Sequence, residues 1–334
     1  MNIYDISQKS GVSIATVSRV LNNSKNVSEK TRQKVLAVME EADYQPNAFA
    51  RGLTLNTMQT IGLLCADSSD PYLGSAISYL EQGLRAHGYD TLLCCTGYDW
   101  AQKEKCTDML LSRHVDALIF IGSTFIEKTD EKNAYLARAA AQVPIIIVNG
   151  YLKGNNIYSV LCDDVEASYA ATMRLLRSGS KRPLFLTRSL SFSGMRKQAG
   201  FEKAFQETGV PLKSEHILQN SGSLSEIREA LLRHYEASPF DAVLATDDEM
   251  AIAVLKFAKK RGLSIPNDLA VIGYNNSLLS ICCEPELSSV DNRLEYLCST
   301  SVALLMSLMD GKKAPEKTEV SAELILRGTT PEGF

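Results

Sequence analysis

The sequence lacks any long apolar run. Nothing in it approaches the roughly 18 uncharged residues of a membrane helix, so no membrane partner is expected. Its first residues, Met-Asn-Ile-Tyr-Asp-Ile, have neither the basic start nor the apolar centre of an export signal, so a cytoplasmic location is expected. Histidine is scarce. The four present (His87, His114, His216, His234) have no ligand spacing among them, so neither a metal nor a cofactor is expected. Of the eight cysteines, none forms a Cys-x-x-Cys pair. They read as reduced core thiols, with a redox or metal role as the alternative. There is no glycine-rich phosphate loop and no serine elbow, so an enzyme is not expected. Asp247-Asp248 is the one adjacent carboxylate pair of note. At the start of a helix the two side chains point apart, which suits ligand contact and capping better than catalysis.

What is present is ordinary in amount and uneven in placement. Hydrophobic residues make up 45% and charged residues 22% of 334 residues, enough for two or three domains with proper cores. Net charge is −4, but residues 1–53 hold seven Lys/Arg against five Asp/Glu and so carry +2. The positive charge sits at one end, as contact with phosphates would require. A +2 segment is weak alone, so two copies acting together as a homodimer are expected.

That end reads as three short helices. Ile3 to Ser10 is the first, and Gly11 supplies a turn with positive φ. Ser13 is placed as an N-cap for Ile14 to Leu21. Val17, Val20 and Leu21 face inward, leaving Ile14, Ala15, Thr16, Ser18 and Arg19 outward. This small, polar set with one arginine fits a major groove. Ser28 to Asp43 is the third helix, with Val35, Val38, Met39 and Ala42 as its inner stripe. Pro46 stops it. Asn47 to Leu53 allows two helical turns, too short to be stable alone, and 54–59 is a polar connector.

Three segments carry a resemblance: Val12 to Asn22, Val27 to Arg32, and Tyr44 to Leu53, in register over about 50 residues. Together they resemble the lactose/galactose repressor family. The resemblance implies a sequence-specific transcription regulator, a repressor by expectation, on double-stranded operator DNA. Ile14, Ala15 and Arg19 would touch base edges, while Tyr4, Ser13, Thr16, Ser18, Asn22 and Asn26 are suited to phosphates. Leu53 would wedge into the minor groove at the centre of a pseudo-palindrome with a central CG step, the alternative being a plain linker leucine. Asn47, Ala50 and Arg51 would line the same groove.

From Thr60 onward, continuous apolar strands alternate with amphipathic helices, which implies parallel sheets covered on both faces. The pattern runs twice. It is similar to a periplasmic-binding-protein-like core of two doubly wound lobes, which the resemblance implies are joined by three crossovers. The expected division is a helix-turn-helix head (1–46), a hinge helix and linker (47–59) and an effector-binding and dimerisation core (60–334). Lobe one takes about 60–160 plus 290–320, and lobe two takes 161–289 plus 321–334. No leucine-heptad tail is seen, so a dimer is expected and not a tetramer.

Ligands of such lobes bind beyond the carboxyl ends of strands. Tyr72 and Leu73 follow the first strand, Tyr72 either stacking on a ligand or packing the lobe; Asn149 follows the fourth. Lys197 stands where relatives usually place arginine, Asp247 where they commonly have asparagine, and Asn275 where aspartate is common. Lysine offers a point charge and arginine a flat fork, so the effector cannot be copied from a relative. A sugar, sugar acid or sugar phosphate is expected. Lysine at this position also occurs in catabolite control proteins, whose corepressor is a phosphorylated carrier protein. Their docking helix carries arginines, and the comparable 301–308 stretch here has none. A transporter's solute-binding protein is the remaining alternative, needing an export signal and no head.

Overall fold

The computed structural model describes residues 2–21, 26–43 and 57–331, and the chain divides into two compact units. The first contains α1 (Ile3–Ser10), α2 (Ile14–Leu21) and α3 (Glu29–Glu41). Asn2 caps α1 reciprocally: its side chain accepts from the Asp5 amide, and Asp5 Oδ2 accepts from the Asn2 amide at 2.8 Å. Gly11 ends α1 at φ 62°, in the left-handed region. Ile6, Val17, Val20, Val35 and Met39 form the core, and Leu21, Val38 and Ala42 pack half-buried at its rim. The third helix is shorter than the sequence suggests. Ser28 lies outside it as the N-cap, and Asp43 turns to φ 45° beyond the Ala42 C-cap. The expected hinge helix at 47–53 falls outside the described residues.

The second unit alternates strand and helix: β1 (Thr60–Cys65), α4 (Pro71–Ala86), β2 (Asp90–Cys95), α5 (Trp100–Ser112), β3 (Ala117–Ile121), α6 (Asp130–Ala140), β4 (Ile145–Val148), β5 (Ile157–Cys162), α7 (Asp164–Arg177), β6 (Pro183–Thr187), α8 (Phe192–Thr208), β7 (Ile217–Gln219), α9 (Leu224–Ala237), β8 (Ala242–Ala245), α10 (Asp248–Arg261), β9 (Ala270–Tyr274), α11 (Leu278–Ile281), β10 (Ser288–Asp291), α12 (Leu294–Met309), β11 (Lys317–Val320) and β12 (Glu323–Ile325). One sheet has the order β11-β5-β4-β3-β1-β2 and the other β12-β10-β9-β8-β6-β7. The recorded pairings are parallel except β12, which runs antiparallel to β10. The chain therefore passes between the lobes three times, after β5, β10 and β11.

Strands β1, β3, β4, β6, β8 and β9 are buried nearly throughout, as sheets covered on both faces require. β2 is different. Its Leu92-Leu93-Cys94-Cys95 run suggests a buried strand, yet Leu92, Leu93 and Cys95 are exposed. The reason is position: β2 lies at the end of its sheet. Cys282 is exposed too, so the expectation of core thiols holds for Cys65, Cys162 and Cys298 alone. Lobe two has a tight crossing in which a Cβ at Gly200 of α8 would collide with the Val165 carbonyl oxygen of α7. No helix among the described residues is long and apolar enough to cross a membrane.

Candidate functional site

In the head, α2 displays Ile14, Ala15 and Arg19 on its exposed side, because Val17 and Val20 take the core side at helical spacing. Ser13 Oγ accepts from the Thr16 amide at 3.2 Å and lies 2.9 Å from Thr16 Oγ1, so both hydroxyls are held at the helix start. Tyr4 is 68% exposed on the first turn of α1, Asn26 is exposed, and Ser18 is half-buried. Asn22, Asn47, Ala50, Arg51 and Leu53 lie outside the described residues.

The core's site is a cleft between its lobes. The structure brings Tyr72, Leu73, Asn149, Lys197, Asp247 and Asn275 to its wall. Strand ends put Asn149, Asp247 and Asn275 there, and helices that follow strands carry Tyr72, Leu73 and Lys197. Asn149 and Asn275 directly follow β4 and β9, and both take positive φ (60° and 93°), a conformation asparagine tolerates better than most residues. Asn149 is buried, and its Oδ1 has no hydrogen-bond partner among the described residues. An unpaired buried carbonyl costs roughly 1–3 kcal/mol, a cost that a donor supplied from the cleft would relieve. Asn275 Oδ1 accepts from Asn292 Nδ2 at 3.1 Å.

Lys197 reaches the cleft from α8, but its ammonium is engaged. Nζ donates to the Thr246 carbonyl at 3.0 Å and lies 3.6 Å from the centre of the Tyr274 ring. Burial lowers its pKa below the usual lysine value, with Asp164 and Asp247 pulling the other way. Asp164 anchors the same group of side chains: Tyr274 donates to Oδ1 at 2.7 Å and Ser193 to Oδ2 at 2.6 Å. Burial, then Asp164, pushes the Tyr274 phenol well above 10. Asp247 caps α10 through the Met250 amide at 2.7 Å. The neighbouring Asp248 turns away from the cleft to Ser277 and Ser289, with its pKa raised by burial.

Several wall residues escape a reading from sequence, among them Arg188, Tyr98 and the hydroxyls of Ser123, Thr124, Ser189, Ser191 and Ser193. Arg188 follows β6 and holds Asp247 through Nε (3.3 Å) and Glu249 through a terminal nitrogen (2.9 Å). Burial opposes its charge, but these carboxylates outweigh burial and raise its pKa. Tyr98 follows β2 and is 63% exposed. Arg188 and Tyr98 obey the strand-end rule that locates Asn149, Asp247 and Asn275, and that rule was the available signal. Ser123 Oγ donates to Ser191 Oγ at 3.0 Å across the cleft, and Arg196 on lobe two reaches Glu319 on lobe one at 2.6 Å. Among the described residues, no group of three His, Cys, Asp or Glu side chains is placed to hold a metal.

Comparison with known proteins fits this geometry. Residues 2–47 match the model for bacterial regulatory proteins of the lacI family, and residues 58–326 match that for periplasmic binding proteins and the sugar binding domain of the LacI family. An HTH-type transcriptional regulator of Lachnoclostridium phytofermentans is 49% identical over 99% of this chain and 99% of its own length. The HTH-type transcriptional regulator DegA of Bacillus subtilis is 33% identical over 98% of this chain and 97% of its own. The fold matches a crystal structure of the lac repressor dimer bound to operator and the anti-inducer ONPF, with a TM-score of 0.87, 22% identity and 99% of both chains covered. A helix-turn-helix head followed by a two-lobed core with a polar cleft is thus the architecture of a DNA-binding transcription regulator, and the chain belongs to the LacI family.

Proposed function

We propose that this regulator represses by binding a pseudo-palindromic operator as a homodimer, and that a carbohydrate in the cleft switches it. The buried, unpartnered Oδ1 of Asn149 carries the cleft reading. It is accompanied by the hydroxyls of Ser123, Thr124, Ser189, Ser191 and Ser193, a donor and acceptor set suited to sugar hydroxyls. In the head, Arg19 would hold a guanine edge with two donors, while Ile14 and Ala15 select by shape. Asn22, Asn26, Tyr4, Ser13, Thr16 and Ser18 would position the head on phosphates, with Asn47, Ala50, Arg51 and Leu53 in the minor groove. The switch requires the effector to favour one lobe arrangement over the other.

The catabolite-control reading gains nothing from α12, whose only charged residue is Glu295. To test the proposal, an operator is first selected from random duplexes. Its affinity is then followed while sugars, sugar acids and sugar phosphates are titrated. One compound should shift operator affinity by about tenfold or more, and Lys197→Ala should remove the shift with DNA binding retained. A panel without effect turns attention to a protein corepressor. A stable monomer on DNA in sedimentation would sink the dimer.

A further inference from the structure

The cleft does not end at the chamber beside Asn149. That chamber has a volume of about 160 Å³, small enough to be the seat of a single sugar ring. An outer chamber of about 470 Å³ opens next to it, with Asp70, Tyr98 and Arg188 as shared walls. The outer space also lies between the lobes, with Asp67 and Pro71 on one side and Leu224, Glu249 and Ile252 on the other. Pockets that bury a whole small ligand run about 300–1,000 Å³. The inner chamber alone falls short of that range, and the two together reach it.

Tyr98 stands at the junction. It is 63% exposed while placed between the lobes, so its ring offers a flat apolar face beside a polar rim. Such a face takes the C–H side of a sugar ring, leaving the hydroxyls to the surrounding polar groups. Charge then limits what else the ligand carries. In the outer chamber three carboxylates (Asp67, Asp70, Glu249) face one guanidinium, Arg188. Arg188 is already committed to Asp247 and Glu249, and the inner cation, Lys197, is committed to the Thr246 carbonyl and the Tyr274 ring. A phosphate or carboxylate on the ligand would meet like charge and would have to compete with the groups that these cations already hold.

We infer that the effector is an uncharged glycan of at least two sugar units, one ring in the inner chamber and the next laid on Tyr98. This rests on reading the cleft as a carbohydrate site. The test is calorimetric titration of the full chain with matched series: glucose, cellobiose and cellotriose; glucose, maltose and maltotriose; xylose and xylobiose; galactose and lactose; with glucose 6-phosphate and glucuronate for charge. Within one series the disaccharide should bind about tenfold or more tighter than its monosaccharide, and the charged sugars should bind weaker than glucose. Tyr98→Ala should bring the disaccharide down to the monosaccharide's affinity, and Tyr98→Phe should restore the difference. The single tryptophan, Trp100, lies two residues from Tyr98, so its fluorescence should respond to the disaccharide more than to the monosaccharide. A monosaccharide that binds as tightly as its disaccharide, or a charged sugar that binds tighter than the neutral one, overturns the inference and leaves the carbohydrate site standing. If no sugar in any series binds or alters operator affinity, the site reading and the inference fall together.

Discussion

At the scale of single residues, the head and the cleft make opposite use of their cations. Arg19 is exposed and offered outward, whereas Arg188 and Lys197 are held by partners within the protein. Arg19→Ala should therefore leave the head folded and cost about 1–3 kcal/mol on the preferred operator. Under the proposed base contact, fluorescence anisotropy should show a smaller loss on duplexes altered at that base; an equal loss on all duplexes would make Arg19 a phosphate contact. His216 gives a pH signature. It packs 5.0 Å from the Phe205 ring and accepts from the Lys213 amide through Nδ1 at 3.3 Å, and burial lowers its pKa below 6.5. The unfolded chain thus takes up this proton first as pH falls, so the contribution of neutral His216 is complete above 6.5 and is lost below it. The stability gap between wild type and His216→Gln should narrow as urea titrations move from pH 7 toward acid. A gap independent of pH would rule His216 out. Arg188 shows how far residues can be read ahead of structure. Its strand-end position was legible, but its role depends on Asp247 and Glu249, 59 and 61 positions later.

At the scale of elements, strong local signals survived folding. Gly11 and Ser13 fixed the turn of the head, and apolar runs of four or five residues fixed the central strands. Signals that depend on neighbours did not survive. β2 has the composition of a central strand and the exposure of an edge, because strand order is decided by crossovers that composition does not record. Gly200 is another such case. In the sequence it is one more glycine inside a helix, where it costs about 1 kcal/mol relative to alanine. In the fold it allows α7 and α8 to touch backbone to backbone. Gly200→Ala should destabilise the core by about 1–3 kcal/mol or more, reversing the usual helix preference, as read from the denaturant midpoint. A stabilised variant would show that the two helices part without cost.

At the scale of the whole core, polar contacts that tie the lobes among the described residues include Ser123 to Ser191 at the cleft and Arg196, which also holds Asp163 of its own lobe, to Glu319 near a crossover. These partly exposed contacts are weak enough to be remade when the lobes move. Arg196→Ala should change the apparent effector affinity by a few-fold, in line with couplings of about 0.5–2 kcal/mol, with operator affinity measured alongside without effector. An unchanged effector midpoint would show that the Arg196 contacts do not bias the lobes. Pairs 123 residues apart, such as Arg196 and Glu319, leave no local trace in sequence, whereas two lobes with a cleft between them were legible from the repeated strand–helix pattern.

The three passages between lobes also set an order of assembly during synthesis. The head's last helix ends at Glu41, so all of its core residues emerge early. Lobe one lacks its edge strand until Val320 has been made, and lobe two lacks its own until Ile325. At about 5–20 residues per second, the ribosome delivers the head's core residues many seconds before either sheet is complete. The nascent chain therefore carries every core residue of its DNA-reading unit while its sensor is still being written.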